Sequence, residues 1–211
     1  MRYDAVIFDL DGTLIDSSEG IANAAEEAIR ILGYPEIPRE ELVSYIGPPI
    51  GNSVIARHGY DEAELKRFNR VFRGLYKDKH LMGATIYPGI TELLRDLGAS
   101  VFIGIATNKR EDYTGIILDN LGISPLCDSV QALDMDGKLS KKDLVENSIK
   151  ASGVSDRRRI VIVGDTKSDE SAARECGADF IGVTYGFGLK EGVTYGRTAE
   201  DVRSLREMLF E

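Results

Sequence analysis

Three short apolar runs constrain the fold of this chain more than any other feature. They occupy residues 5–8, 101–106 and 160–163. Each run is too short for a typical helix and lacks the helical repeat of apolar positions, so each is predicted to be a strand. Strands that are apolar throughout are typical of parallel sheets covered on both faces. The sequence therefore predicts an α/β fold built around a parallel sheet.

The first run stops at two carboxylates, Asp9 and Asp11. Residues two apart in an extended segment point the same way, so these side chains should converge. Like charges held this close repel, and one of them is pushed towards protonation unless a cation neutralises them. Gly12 then permits a tight turn or close approach to a ligand, and Thr13 adds a hydroxyl. Because such a pattern is also common in simple polar turns, its meaning depends on the other two runs.

The other two runs also end in polar residues. Thr107 and Asn108 follow the second run, and Asp165 and Asp169 follow the third. Ligands of open α/β sheets bind outside the carboxyl ends of the strands, so we expect these side chains to join the first pair of carboxylates. Carboxylate oxygens suit a hard cation such as Mg²⁺. Hydroxyl, amide and backbone N–H groups suit a phosphate.

Residues 16–83 interrupt the strand pattern. Apolar residues recur there with helical spacing from residue 21 to residue 32, Gly33 is typical of a helix end, and further helices are predicted near Pro38 and over residues 61–79. Helices and strands then alternate, with helices at 89–97, 110–121, 141–151, 169–176 and 198–209 and strands at 101–106, 128–132, 160–164 and 179–184. This order predicts a Rossmann-like parallel-sheet core domain, residues 1–15 and 84–211, with an inserted α-helical cap domain, residues 16–83.

Composition limits the classes of partner. The 211 residues carry a formal net charge of −9, which argues against nucleic acid or an anionic membrane surface as a partner. No apolar run approaches the roughly 20 residues that span a bilayer, and no signal peptide is expected, because the chain enters its first strand at once. Cys127 and Cys176 are expected to be free thiols in a reducing cytosol, so the predicted location is cytoplasmic.

Four motifs in this order resemble a known family. They are DLDGTLIDS at residues 9–17, ATNK at 106–109, LSKKDLVENSI at 139–149 and VGDTKSDESAARECG at 163–177. A further stretch, YIGPPIGNS at residues 45–53, is similar to a substrate loop. Together they resemble the haloacid dehalogenase superfamily, in its phosphoglycolate-phosphatase-like branch with a helical cap. The resemblance spans nearly the whole chain.

The resemblance implies a role for each matching residue. Asp9 would be the nucleophile that forms an aspartyl-phosphate, and Asp11 the general acid/base that protonates the leaving oxygen and then activates water. Three residues would hold the phosphate: Thr107, Asn108 and Lys141. Four carboxylates would serve a Mg²⁺ site: Asp9, Asp11, Asp165 and Asp169. The partner would be a small-molecule phosphate ester.

The phosphate-binding lysine has two candidates, because Lys141 and Lys142 are adjacent. Alignment with the family's lysine motif favours Lys141, and Ser140 before it is a candidate helix cap. The alternative is a solvated lysine pair at the start of a helix. Lys109 is interpreted as a loop lysine that only adds to the local positive field, and Lys167 as a solvated side chain.

The cap carries the candidate substrate loop, formed by Gly47, Pro48, Pro49 and Ile50. The alternative is a plain connection between two helices. Arg57 is a candidate partner for a second anion on the substrate, whereas His58 and His80 are interpreted as surface residues without a catalytic role. Near the C-terminus, residues 185–188 are interpreted as packing, with a possible place at the rim of the site.

The sequence thus predicts a magnesium-dependent phosphatase of a small phosphate monoester, similar to phosphoglycolate phosphatase. Two alternatives stay open: a phosphosugar mutase of the same superfamily, and a binding or regulatory module that has lost catalysis. A dehalogenase is disfavoured, because that chemistry lacks the second aspartate of the first motif. Phosphoglycolate, sugar phosphates, nucleoside monophosphates and pyrophosphate all fit as substrates.

Overall fold

A computed structural model describes residues 1–47, 49–190 and 193–211. The chain forms two compact units. One contains residues 1–16 and 85–211, and the other contains residues 17–84.

The first unit is built on a parallel sheet. Its strands are β1 (Ala5–Phe8), β2 (Ile15–Asp16), β3 (Thr85–Ile86), β4 (Phe102–Arg110), β5 (Ser129–Leu133), β6 (Ile160–Gly164), β7 (Asp179–Val183) and β8 (Arg197–Ala199). Six of them pair in parallel in the order β5-β4-β1-β6-β7-β8, whereas β2 and β3 form a separate antiparallel pair. The predicted Rossmann-like α/β class is confirmed.

Helices account for most of the remaining chain. They are α1 (Ser18–Leu32), α2 (Arg39–Ser44), α3 (Ile50–His58), α4 (Glu62–Leu75), α5 (Ile90–Gly98), α6 (Glu111–Asn120), α7 (Lys141–Ser152), α8 (Lys167–Cys176) and α9 (Val202–Phe210). A π-helical turn at Tyr76–His80 directly follows α4, and short 3₁₀ turns lie at Leu81–Gly83, Ser124–Leu126 and Arg157–Arg159. Among the described residues, no helix is long and apolar enough to cross a membrane.

Strand β1 lies at the centre of the sheet because it is apolar on both faces. Its four residues are almost fully buried. Phe8, its last residue, lies opposite Ile105 of β4 on one side and Val163 of β6 on the other. Its side chains join a core that includes Val145 of α7 and Phe180 of β7. The carboxyl ends of β4, β1 and β6 therefore meet at one edge, as the sequence predicts.

Two capping boxes fix where the helices after this edge begin. Ser140 accepts a hydrogen bond from the backbone of Asp143 at the start of α7, so the predicted cap is confirmed. Thr166 and Asp169 form the same arrangement at the start of α8. Caps of this kind stabilise a helix by about 1 kcal/mol each. They also set the positions of the first residues of both helices at the sheet edge.

The second unit consists of α1 to α4 and the turns that follow. Helix α1 buries a stripe of small side chains, among them Ala24, Ala25 and Ala28. It ends at Gly33, whose φ of 69° is left-handed, as its place in the sequence predicts. Phe68 of α4 is fully buried, whereas the other residues of that helix are exposed or half-buried, which accounts for its polar sequence.

Four strands differ from the predictions. Strand β4 runs on through Arg110, whereas its apolar run ends at Ala106. Strand β8 and the β2–β3 pair were not predicted, because strands of two or three residues show no periodicity in sequence. Cys127 and Cys176 are free thiols, as expected.

Candidate active site

Asp9 lies at the point where three strands end. Its backbone N–H donates to the carbonyl of Val163, the last apolar residue of β6, over 2.8 Å. Oxygen atoms of Asp9, Asp165 and Asp169 lie within 4.8 Å of one another. The parallel register thus brings together carboxylates from the first and fourth motifs, which are more than 150 residues apart in sequence.

These three carboxylates are buried, and Asp9 is only 6% exposed. Burial, with repulsion from the other carboxylates, raises the pKa of Asp9 to about 7 despite the attraction of Lys141. Burial, and to a smaller extent repulsion from Asp9 and Asp169, raises the pKa of Asp165 to about 8. Such a group of buried oxygen ligands, costly to ionise without a counter-charge, fits a hard divalent cation such as Mg²⁺.

Lys141 completes this cluster. Its Nζ atom lies 2.6 Å from Asp9 Oδ1, 2.7 Å from Asp169 Oδ1 and 2.6 Å from the carbonyl of Ala106. The contacts with Asp9 and the Ala106 carbonyl are hydrogen bonds donated by the ammonium, and the contact with Asp169 is an ion pair. Although burial opposes the charge, the carboxylates of Asp169 and Asp9 outweigh it and raise the pKa of Lys141. The ammonium is therefore charged and immobilised beside Asp9.

Lys142 lies elsewhere. Its side chain is 50% exposed and its Nζ lies 3.5 Å from a carboxylate oxygen of Glu175. Of the two candidate lysines, the structure brings Lys141 to the carboxylates. Its role towards a phosphate stays a prediction.

Asp11 has a different partner. Its carboxylate is outside the group of Asp9, Asp165 and Asp169, and Lys109 Nζ donates to both of its oxygens, over 2.8 and 2.9 Å. The interpretation of Lys109 as a loop lysine is wrong, because the residue is 8% exposed and belongs to strand β4. The spacing of two from Thr107 is the sequence signal that could have placed both side chains on one face of an extended segment.

Thr107 and Asn108 lie in the same stretch of β4. The pairing with β5 shifts register between Thr107 and Arg110, an irregularity that re-aims side chains at a sheet edge. Thr107 is buried, and its hydroxyl accepts a hydrogen bond from the backbone of Lys109 over 3.1 Å. Asn108 is half-buried. The structure places both residues at the carboxyl end of β4, whereas their phosphate contacts stay a prediction.

Two glycines allow the close packing around Asp165. Gly12 has a φ of 82°, and a Cβ atom there would lie 2.3 Å from Asp165 Oδ2. A Cβ atom at Gly186 would lie 2.3 Å from the carbonyl oxygen of Gly12. Phe187 N–H donates to Asp165 Oδ2 over 2.7 Å, and the Tyr185 hydroxyl donates to the carbonyl of Thr13 over 2.9 Å. The segment at residues 185–188 therefore lies directly against the carboxylate cluster.

Glu170 is a buried acid that the sequence analysis missed. It accepts hydrogen bonds from Thr194 N–H and Oγ1 and from Tyr195 N–H. Although burial alone would raise the pKa of Glu170, the hydrogen bonds from Thr194, Lys167 and Tyr195 lower it to about 2. Glu170 thereby fixes the loop at residues 193–195 against α8. Lys167 is largely exposed, as predicted.

The candidate substrate loop connects α2 and α3. Gly47 has a φ of 126°, Pro49 directly precedes α3, and the first residue of that helix, Ile50, is buried. Pro48 lies outside the described residues. The substrate loop stays a prediction, and a plain connection between the two helices is its alternative.

The other cap candidates have partners within their own unit. Arg57 Nε lies 2.8 Å from Glu41. The ring nitrogens of His58 lie 2.8 and 2.9 Å from the carbonyls of Val54 and Pro35. His80 lies 3.4 Å from Glu27. These contacts are consistent with packing roles for both histidines.

The sequence model of one family, described as haloacid dehalogenase-like hydrolase, matches residues 6–183. The chain belongs to this family. The match covers the carboxylate cluster and both lysines, so the resemblance seen in the four motifs is confirmed. This member of the family is a hydrolase that acts on phosphate monoesters.

Relatives in the family align along almost the whole chain. A 5'-nucleotidase of Pseudomonas aeruginosa is 28% identical over 99% of this chain and 96% of its own length. A phosphoglycolate phosphatase of Vibrio parahaemolyticus is 28% identical over 97% of this chain and 93% of its own. The solved structure of protein tyrosine kinase A (PtkA) of Mycobacterium tuberculosis has a TM-score of 0.85 and 29% identity, covering 98% of both chains. The chain thus lies near the phosphoglycolate phosphatases, among relatives whose names denote different substrates.

Proposed function

We propose that this chain is a magnesium-dependent phosphatase that hydrolyses a small phosphate monoester through an aspartyl-phosphate on Asp9. The observation that carries the proposal is the surrounding of Asp9: a buried lysine on one oxygen and two further buried carboxylates within 4.8 Å. A carboxylate so placed has a cation to balance it and lies at the carboxyl ends of the strands, where open α/β sheets bind their ligands.

The reaction follows from Asp9 and Asp11 of the first motif. An oxygen of Asp9 attacks phosphorus, and the bond from phosphorus to the leaving oxygen breaks. Asp11 gives its proton to that leaving oxygen, and its carboxylate then takes a proton from the water that attacks the aspartyl-phosphate. The water oxygen bonds to phosphorus as the bond from phosphorus to the Asp9 oxygen breaks, which releases inorganic phosphate and restores Asp9.

The other residues bind and orient. Asp9, Asp165 and Asp169 would hold Mg²⁺, which would stabilise negative charge on the transferring group. Thr107, Asn108 and Lys141 would hold the phosphate oxygens. We assign Asp11 to proton transfer, because Lys109 donates to both of its oxygens and it is not among the three carboxylates that lie within 4.8 Å of one another. A role for Asp11 at the metal stays a prediction.

Metal dependence provides the first test. Exhaustive chelation should abolish turnover and Mg²⁺ should restore it, and Asp165→Asn should weaken Mg²⁺ binding by about tenfold or more. Because the pKa values of Asp9 and Asp165 are raised, bound protons compete with the metal, so Mg²⁺ affinity should rise between about pH 6 and about pH 8. Isothermal titration calorimetry measures both effects.

Asp136→Asn is the matched control for the metal test, because that carboxylate is exposed and pairs with Lys138. It should leave Mg²⁺ binding unchanged. Full activity of the chelated enzyme would exclude a metal role for the carboxylate cluster.

The substrate is proposed to be a small phosphate ester such as phosphoglycolate. A panel of phosphoglycolate, nucleoside 5'-monophosphates, sugar phosphates and phosphotyrosine, assayed for inorganic phosphate, ranks the candidates. A phosphosugar mutase would instead return an isomeric sugar phosphate with little inorganic phosphate. No turnover of any ester would favour a binding module.

We further propose that residues 17–84 act as a specificity cap through the loop at Gly47, Pro48, Pro49 and Ile50. Pro49 is exposed, so Pro49→Ala should change contacts with a substrate more than packing. It should change the ratio of kcat/KM between bulky esters and methyl phosphate by about tenfold. Pro125→Ala, an exposed proline of the other unit, is the control. An equal change for all esters, or none, would identify the loop as a plain connection.

A further inference from the structure

We propose that Lys109 is a positioning residue for Asp11, and that its ammonium holds the Asp11 carboxyl group in the orientation from which the protonated acid gives its proton to the leaving oxygen and the carboxylate then takes one from water. The inference rests on the proposed function, in which Asp11 is the general acid. It assigns a task to a buried lysine that the reaction described above does not use.

The contact between the two side chains is specific. Lys109 Nζ lies 2.8 Å from Asp11 Oδ1 and 2.9 Å from Oδ2, between residues 98 positions apart. Both side chains are buried, at 5% and 12% exposure. The terminal torsion of a carboxyl group is otherwise broad. An ammonium that contacts both oxygens in a buried setting restricts that torsion, and general acid catalysis requires such placement.

The second lysine of the site is not available for this task. Lys141 donates to Asp9 and the Ala106 carbonyl and forms an ion pair with Asp169. Asp9 and Asp11 therefore each have their own lysine, Lys141 for the proposed nucleophile and Lys109 for the proposed general acid.

The end of β4 aims Lys109 at Asp11. The register shift between Thr107 and Arg110 alters the strand at this point, and Lys109 N–H donates to the Thr107 hydroxyl. One short segment thereby places a proposed phosphate-binding hydroxyl and the ammonium that holds Asp11. Two rival roles for Lys109 are direct binding of the phosphate and a contribution to folding alone.

Leaving groups of different acidity separate these roles. The value of kcat/KM reports on the steps up to and including departure of the leaving group. An alkoxide is a poor leaving group and needs a proton as it departs, whereas a highly acidic phenol leaves without one. Lys109→Met should lower kcat/KM by about 100-fold for alkyl phosphates and by less than about threefold for 2,4-dinitrophenyl phosphate. Lys138→Met, an exposed lysine variant, should change neither value.

A double-mutant cycle with Asp11→Asn tests the coupling. If Lys109 acts through Asp11, adding Lys109→Met to Asp11→Asn should change kcat/KM by less than about twofold for every ester. The double variant has lost both charges of the pair, so it serves even where Lys109→Met alone does not fold. Thermal melting of each variant reports on folding.

Other outcomes overturn the inference. Equal losses for all leaving groups, together with weaker inhibition by inorganic phosphate, would make Lys109 a phosphate-binding residue. A further loss in the double variant would show that Lys109 acts independently of Asp11. Absence of turnover in the unmodified chain with every ester would instead overturn the proposed phosphatase function.

Discussion

Asp9→Asn should reduce kcat by about 10⁴-fold or more, with the fold intact. The amide keeps the shape of the side chain but cannot form an aspartyl-phosphate. The fold should tolerate the change, because the amide has the size of the carboxylate and its oxygen can still accept the hydrogen bond from Lys141. Steady-state assays with Mg²⁺ measure the loss of kcat, and thermal melting shows whether the fold is intact.

The same Asp136→Asn variant controls for a general effect of removing a carboxylate, since it lies on an exposed loop. It should keep full activity. Phosphate release by Asp9→Asn at a rate near that of the unmodified chain would contradict a covalent mechanism.

Lys141→Met should have the largest combined effect on activity and stability. It removes the ammonium shared by Asp9 and Asp169 and leaves buried carboxylates without that counter-charge. Loss of one partner of a buried ion pair lowers the free energy of unfolding by about 3 kcal/mol or more. Turnover should fall by about 100-fold or more, because the proposed phosphate contact is lost as well. Urea unfolding in the presence of chelator and steady-state kinetics measure these effects.

Lys142→Met is the matched control for this prediction, because the neighbouring lysine is half-exposed and pairs only weakly with Glu175. Its effect on the free energy of unfolding should stay within about 0.5 kcal/mol. Equal effects of the two substitutions on turnover would show that Lys141 has no specific role in the active site.

Local patterns account for the parts of the fold that could be predicted. The apolar residues of β1 and β6 need two covered faces, and together with the alternation of helices and strands this requirement indicates a parallel sheet. Gly33 and Ser140 mark helix ends through local backbone and hydrogen-bond requirements, so both were predicted where they occur. The convergence of Asp9 with Asp165 follows from the common edge of parallel strands.

The missed features depend on contacts between distant residues. Lys109 looks like a loop residue because β4 continues beyond its apolar run, and its partner Asp11 is 98 positions away. Glu170 resembles any exposed helical acid until the loop at residues 193–195 folds onto it. Strand β8 has three residues and exists through its pairing with β7. Sequence periodicity carries no signal for such pairings.

Mass spectrometry of the acid-quenched enzyme tests the central claim most directly. Enzyme mixed with Mg²⁺ and excess substrate, quenched during turnover and digested, should yield a peptide containing Asp9 with the added mass of one phosphoryl group. The Asp9→Asn variant should lack this modification. A phosphoryl group on any other residue would contradict the proposed aspartyl-phosphate. If the leaving group is released faster than inorganic phosphate, a phosphorylated intermediate must accumulate, so an unmodified Asp9 peptide under those conditions would contradict it as well.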